Sequence, residues 1–182
     1  MKSGLLLLLL LTSPATYTQD PPQRKITAPV SRWHASSKKS EMDGVVTTTL
    51  SVDSSNYGGN GGLIIRCGGG KAQIYVYLDD YAQPELGGGH TVRLKFDSGD
   101  PVEDGAFESS DSRGLFTYYP LQLLRRLKRT RVFLFEFTPY EKQKKVLSFN
   151  LTGLSGVLTP EREKSCGQLP DDAEDPYRDP TK

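Results

Sequence analysis

Leu63-Ile64-Ile65-Arg66-Cys67-Gly68-Gly69-Gly70-Lys71-Ala72-Gln73-Ile74-Tyr75-Val76-Tyr77-Leu78 is the stretch that decides the fold class. Two runs of strand length flank three glycines, which can reverse the chain without steric cost. In the second run Ala72, Ile74, Val76 and Leu78 fall on one face, and Gln73, Tyr75 and Tyr77 on the other. A period of two with one apolar face describes an antiparallel sheet that is dry on one side and wet on the other. The glycines before Lys71 have a superficial likeness to a phosphate loop. The earlier glycine of that motif is absent, Ala72 stands where Ser or Thr is required, and a strand follows instead of a helix. The stretch therefore reads as a hairpin.

The same pattern extends outward. Val45 to Val52 is β-branched and alternating, with Val46, Thr48, Leu50 and Val52 on one face. Thr91 to Asp97 places Val92, Leu94 and Phe96 inward, and Arg93 and Lys95 outward. Residues 98–119 are less regular. Pro120 suits a first helical turn and opens a short helix, Leu121 to Thr130. Leu121, Leu124 and Leu127 line one face of it with Leu123 beside them, and the arginines take the other. Arg131 to Thr138 and Val146 to Leu151 are further strands, and Gly153 to Leu158 a helical turn. Trp33, the only tryptophan, is expected to pack on the domain edge. No internal repeat is visible. The expected fold is mainly β: an antiparallel β-sandwich or partly open β-barrel of about six to eight strands with one or two short helices.

The ends of the chain read differently. Met1 and Lys2 form a short positive segment, Leu5 to Leu11 is an unbroken leucine run, and Ser13-Pro14-Ala15 supplies small residues for cleavage. A membrane span needs about 20 apolar residues, so residues 1–15 read as a signal peptide cut near Ala15. Residues 16–30 form a flexible lead-in, residues 31–167 the β domain, and residues 168–182 a disordered acidic tail. The mature chain is expected to be periplasmic or secreted, with no transmembrane anchor after cleavage.

Loss of Lys2 lowers the basic residues from 23 to 22, equal to the 22 acidic ones. A neutral chain argues against nucleic acid as a partner. The two cysteines, Cys67 and Cys166, read as one disulfide in an exported protein; two buried free thiols are the rival reading.

Candidates for chemistry are sparse. His34 and His90 sit in no metal-ligand spacing, and neither metal nor cofactor is expected. Ser109-Ser110-Asp111 lacks a nearby base. Asp79-Asp80 and Asp97-Ser98-Gly99-Asp100 follow strands, where aspartate commonly caps turns. Asn150-Leu151-Thr152 is a formal glycosylation sequon inside a strand. No catalytic residue is assigned and an enzyme is not expected. A partner surface would use the face carrying Tyr75 and Tyr77, or the basic helix side with Arg125, Arg126 and Arg129, since aromatics and arginine dominate binding hot spots.

Ordered motifs across roughly residues 30–167 carry a resemblance. Trp33 and Ser40-Glu41-Met42-Asp43 precede a Thr-rich strand. Leu63 to Cys67 and a turn lead to Gln73-Ile74-Tyr75-Val76. Val92 to Asp97 is followed by Ser109-Ser110-Asp111. Phe137-Thr138-Pro139-Tyr140, then Leu147 to Leu154, and last Cys166 complete the series. In this order the chain resembles the VasI/TagO family of exported proteins associated with type VI secretion. The resemblance implies an envelope accessory protein without known catalytic residues, whose partner is another envelope or secretion-apparatus protein. A stand-alone exported ligand-binding domain is the alternative, and a hydrolase built on the Asp and Ser residues a third.

Overall fold

The computed structural model describes residues 33–56, 60–83, 85, 88–140, 142–170 and 173–177. The signal peptide and the lead-in expected over residues 1–30 lie outside them. In chain order the elements are β1 (His34–Lys39), β2 (Val46–Asp53), β3 (Gly61–Gly68), β4 (Lys71–Leu78), β5 (His90–Phe96), β6 (Val102–Glu108), β7 (Gly114–Thr117), α1 (Pro120–Leu127), β8 (Val132–Phe137), β9 (Lys145–Asn150), α2 (Leu154–Val157) and α3 (Pro160–Ser165).

The hairpin of β3 and β4 forms as its alternation requires. Leu63 faces Val76 and Ile65 faces Ile74, and Gly69 and Gly70 turn the chain at φ of +60° and +74°, a region closed to most side chains. Around it the strands order as β1-β2-β3-β4-β7-β6-β5-β8-β9, one nine-stranded sheet in which every pairing is antiparallel. One face is mostly apolar. Leu50, Val52, Leu63, Ile65, Ile74, Val76, Val92, Leu94, Phe133, Phe135, Leu147 and Phe149 are all buried on it. Helix α1 lies over this face, with Leu123, Leu124 and Leu127 in the same core cluster. Each such leucine contributes about 1.5–3 kcal/mol by leaving water.

The sheet curls so that its two halves face each other. A Cβ on Gly61 in β3 would lie 3.0 Å from Leu147 of β9. The ends do not close into a barrel, since no ladder joins β9 to β1. Instead, the loop after β2 covers the free edge of β9. Ser55 N–H donates to the Ser148 carbonyl (2.7 Å), Asn56 Nδ2 donates to the Val146 carbonyl (2.8 Å), and Ser148 N–H donates to Asn56 Oδ1 (2.9 Å). The amide side chain stands in for a neighbouring strand at an edge that would otherwise invite pairing. Asn56→Ala is expected to lower stability by about 1–2 kcal/mol, two net hydrogen bonds. It should also speed amide exchange selectively at Ser148, which hydrogen-exchange mass spectrometry would read; unchanged exchange there would exclude this role.

Several expectations need correction. Helix α1 ends at Leu127 rather than Thr130, where the Thr130 hydroxyl donates back to the Arg126 carbonyl (2.9 Å). Leu121 is only partly buried. Strands β1, β6 and β7 and helix α3 were not anticipated. Strand β1 is exposed along its whole length, so its polar sequence carries no alternation, and only pairing with β2 makes it a strand. The expected disordered tail fails at Tyr177, which is 1% exposed and belongs to the core. Trp33 packs against the core beside Gly153, as expected.

Candidate functional site

Cross-strand register builds the site on the outer face of the sheet. Ile64 faces Tyr75, Tyr75 faces Phe116, and Phe116 faces Phe107, one row across β3, β4, β7 and β6. The rings stand against one another. Tyr75 and Phe116 stack at 4.4 Å between centroids, Phe116 and Phe107 at 5.2 Å, and Tyr118 tilts onto Phe107 at 5.3 Å. Cross-strand aromatic pairs of this kind add about 0.5–1.5 kcal/mol each beyond area burial. Two glycines make room for them. A Cβ on Gly105 would fall 3.1 Å from Tyr118 Cε2, and one on Gly114 would fall 3.3 Å from Tyr75 Cδ2.

Two arginines flank the rings. The Arg66 guanidinium lies 5.6 Å from the Tyr75 ring centre, and its Nη2 donates to the Tyr75 hydroxyl (3.1 Å). The Arg113 guanidinium lies 5.7 Å from the Tyr81 ring centre, and its Nη1 donates to the Tyr77 hydroxyl (3.4 Å). Those phenol contacts hold the Arg113 pKa above its ordinary value. Tyr77, Tyr81, Phe107 and Tyr118 are between 39% and 54% exposed. They form one contiguous cluster on the wet face rather than isolated surface rings.

The sequence-derived candidates separate. Tyr75 and Tyr77 belong to this surface. Arg125 and Arg126 lie on α1, which covers the opposite face of the sheet, and Arg129 lies in the turn that follows it. Arg126 is placed over the Phe96 ring at 5.2 Å, and Arg125 Nη2 donates to the Pro170 carbonyl (3.2 Å). Arg129 lines an open groove between α1 and α3 with Leu121, Leu124, Lys128 and Lys164. Within it Lys128 is bonded to Glu163, which leaves the groove less cationic than its composition suggests. Cys67 and Cys166 form the expected disulfide, Cα atoms 4.3 Å apart, which removes the free-thiol alternative. Phe107, Phe116, Tyr118, Arg66 and Arg113 were not singled out from sequence. The alternations Ala106-Phe107 and Leu115-Phe116 were the available signal, too short to register by themselves.

The remaining polar clusters serve the fold. Ser109 donates to Asp111 and its Oγ accepts the Gly114 N–H (2.8 Å), which ties the turn between β6 and β7. That bond, with the Arg113 N–H, holds the Asp111 pKa below the ordinary carboxylate value. Asp97 Oδ1 accepts from the Arg131 and Val132 N–H groups, both at 2.9 Å. Asp80 pairs with Lys142, whose hydrogen bond lowers its pKa. His90 Nε2 meets Glu108 Oε1 at 3.2 Å. Among the described residues no group of three or more His, Cys, Asp or Glu is placed to hold a metal ion. A void of about 10 Å³ beneath Leu63, Val76 and Leu115 is at most the size of one water. Among the described residues no helix is long and apolar enough to cross a membrane.

No protein-family model, no curated protein and no solved structure matches the chain.

Proposed function

We propose that this protein is an exported binding module of the cell envelope, and that it recognises another envelope protein through the outer aromatic face. The observation that carries the reading is the exposed cluster of Tyr77, Tyr81, Phe107 and Tyr118 with Arg66 and Arg113 among them. These are the residue types that supply most binding energy at protein interfaces. The leucine run of residues 5–11 and the Cys67–Cys166 bond support an oxidising compartment outside the cytosol. The resemblance to the VasI/TagO family supports an accessory role beside a type VI-like apparatus. The tight core supports recognition at a surface rather than a small ligand held inside.

Site-specific photocrosslinking in the native host tests this reading. A photoreactive residue at Phe107 or Tyr118 should trap one discrete envelope protein, and the same residue at Met42, which is 96% exposed and remote in sequence, should not. Intact mass of the recovered protein should begin near Thr16. Equal crosslinking from all three positions, or a full-length cytosolic species, would refute the proposal.

A further inference from the structure

We infer that the outer face takes an extended acidic segment of its partner, with carboxylates received by Arg66 and Arg113 on either side of the aromatic row. This inference rests on the binding-module reading above.

Charge complementarity carries the choice of occupant. Among the described residues the carboxylates pair with His90, Arg93, Lys128, Lys142, Lys144 and Lys145, while Arg66 and Arg113 form no ion pair. Asp111 lies close to Arg113, but its Oδ1 accepts from the Ser109 hydroxyl and from the Arg113 backbone N–H, not from the guanidinium. A guanidinium carries five donors in a planar fork. Arg66 donates to the Tyr75 hydroxyl, and Arg113 donates to the Tyr77 hydroxyl and lies beside that of Tyr81, so donors remain for a bidentate carboxylate. Stacking on Tyr75 and Tyr81 orients each fork before a partner arrives, which lowers the ordering cost of binding.

The spacing suits an extended chain. The two phenols that hold the forks belong to Tyr75 and Tyr77, alternate residues of β4. Alternate residues of a strand are about 7 Å apart, which is also the repeat of same-side side chains on an extended ligand. A segment lying along β4 with acidic residues at alternate positions therefore presents carboxylates at the interval of the two phenols that hold the anchors.

The probe is a fluorescein-labelled peptide of alternating Glu and Ser, read by anisotropy against the mature, oxidised protein. Its Gln/Ser counterpart and phosphatidylglycerol vesicles are the comparison ligands. The Glu peptide should bind in a salt-sensitive way, and the Gln peptide at least about tenfold more weakly, as expected when a charged contact is lost. Arg66→Gln and Arg113→Gln should each weaken the Glu peptide by about tenfold, whereas Lys164→Gln on α3 should leave it unchanged. Unchanged thermal unfolding of each variant confirms that the face is intact. Equal affinity for the two peptides, no loss in either arginine variant, an equal loss in the Lys164 variant, or binding confined to the vesicles would each overturn the inference. Those failures leave the Phe107 and Tyr118 crosslinks untouched, so the acidic-segment inference can fall while the binding-module reading stands.

Discussion

Replacing Cys166 with serine is expected to lower the unfolding free energy by about 2–5 kcal/mol, the usual range for a native bond in a small exported domain. The bond joins residues 99 apart in sequence, and a loop of about that length contributes about 4.7 kcal/mol in the chain-entropy model. Its native surroundings add to the effect. Cys67 is 2% exposed and Cys166 1%, so a serine hydroxyl at 166 would sit in the core beside an unpaired thiol. The bond also seats α3 on the β3–β4 hairpin. There Gly70 N–H donates to the Ser165 carbonyl (3.1 Å), and Gly167, at φ +100°, passes so close that a Cβ would meet the Gly70 oxygen at 2.5 Å. Small domains hold about 5–15 kcal/mol in total, so the loss is a large share. Chemical denaturation of the oxidised wild type and the variant measures it. A difference below about 1 kcal/mol, or alkylation of both cysteines in unreduced native protein, would contradict this account.

Tyr177→Ala should cost about 3–4 kcal/mol, the scale of removing a buried aromatic ring. The side chain closes the core from the C-terminal segment. Its ring tilts onto Phe96 at 5.7 Å between centroids, and the Arg126 guanidinium lies over the same phenylalanine. Its hydroxyl donates to Asp104 Oδ2 (2.8 Å) and lies 3.1 Å from the Thr117 hydroxyl. Burial raises the phenol pKa far above its ordinary value, so the proton stays available to Asp104. Burial also raises the Asp104 pKa, although the Tyr177, Gly105 and Thr117 donors pull it back.

The sign of the pH dependence follows from these directions. A carboxyl whose folded pKa is raised binds its proton more readily in the folded state. Its contribution is therefore most favourable below the unfolded pKa and is lost as pH rises through the folded one. Tyr177→Phe keeps the ring and removes a donor to the charged form. Its cost should be about 1–2 kcal/mol at about pH 7 and smaller at about pH 3, where Asp104 is protonated. Denaturation at both pH values tests this. A Tyr177→Ala variant as stable as the wild type would show that the residue does not close the core, and a Tyr177→Phe deficit that grows on acidification would show that its hydroxyl does not serve a charged Asp104.

The fold class was legible because strand alternation is a local property. Ile74, Val76 and Leu78 face inward wherever β4 sits in the sheet, and the glycines at 69 and 70 reverse the chain whatever surrounds them. The disulfide was legible from cysteine number and the leader-like N-terminus, which need no geometry. The face opposite the core was legible in part, since Tyr75 and Tyr77 share it by period alone.

What the sequence left open depends on residues far apart along the chain. Tyr75 meets Phe116 only because β7 inserts beside β4, a register that no local pattern specifies. The short β7 and the mostly polar β6, in which Ala106 is the buried apolar residue, reveal themselves only through their partners. Arg126 carries the same charge in a basic cluster as over the Phe96 ring, so composition could not tell the two apart. Tyr177 sits in an acidic, proline-rich stretch whose average polarity predicts disorder, yet one ring finds a core gap with a carboxylate at its end. Periodicity and cysteine count, which report local conformation and covalent chemistry, were the sequence's own contribution. Cross-strand neighbours and the seating of the C-terminal segment came from tertiary packing, because contact energies between distant residues exist only once the chain has closed on itself.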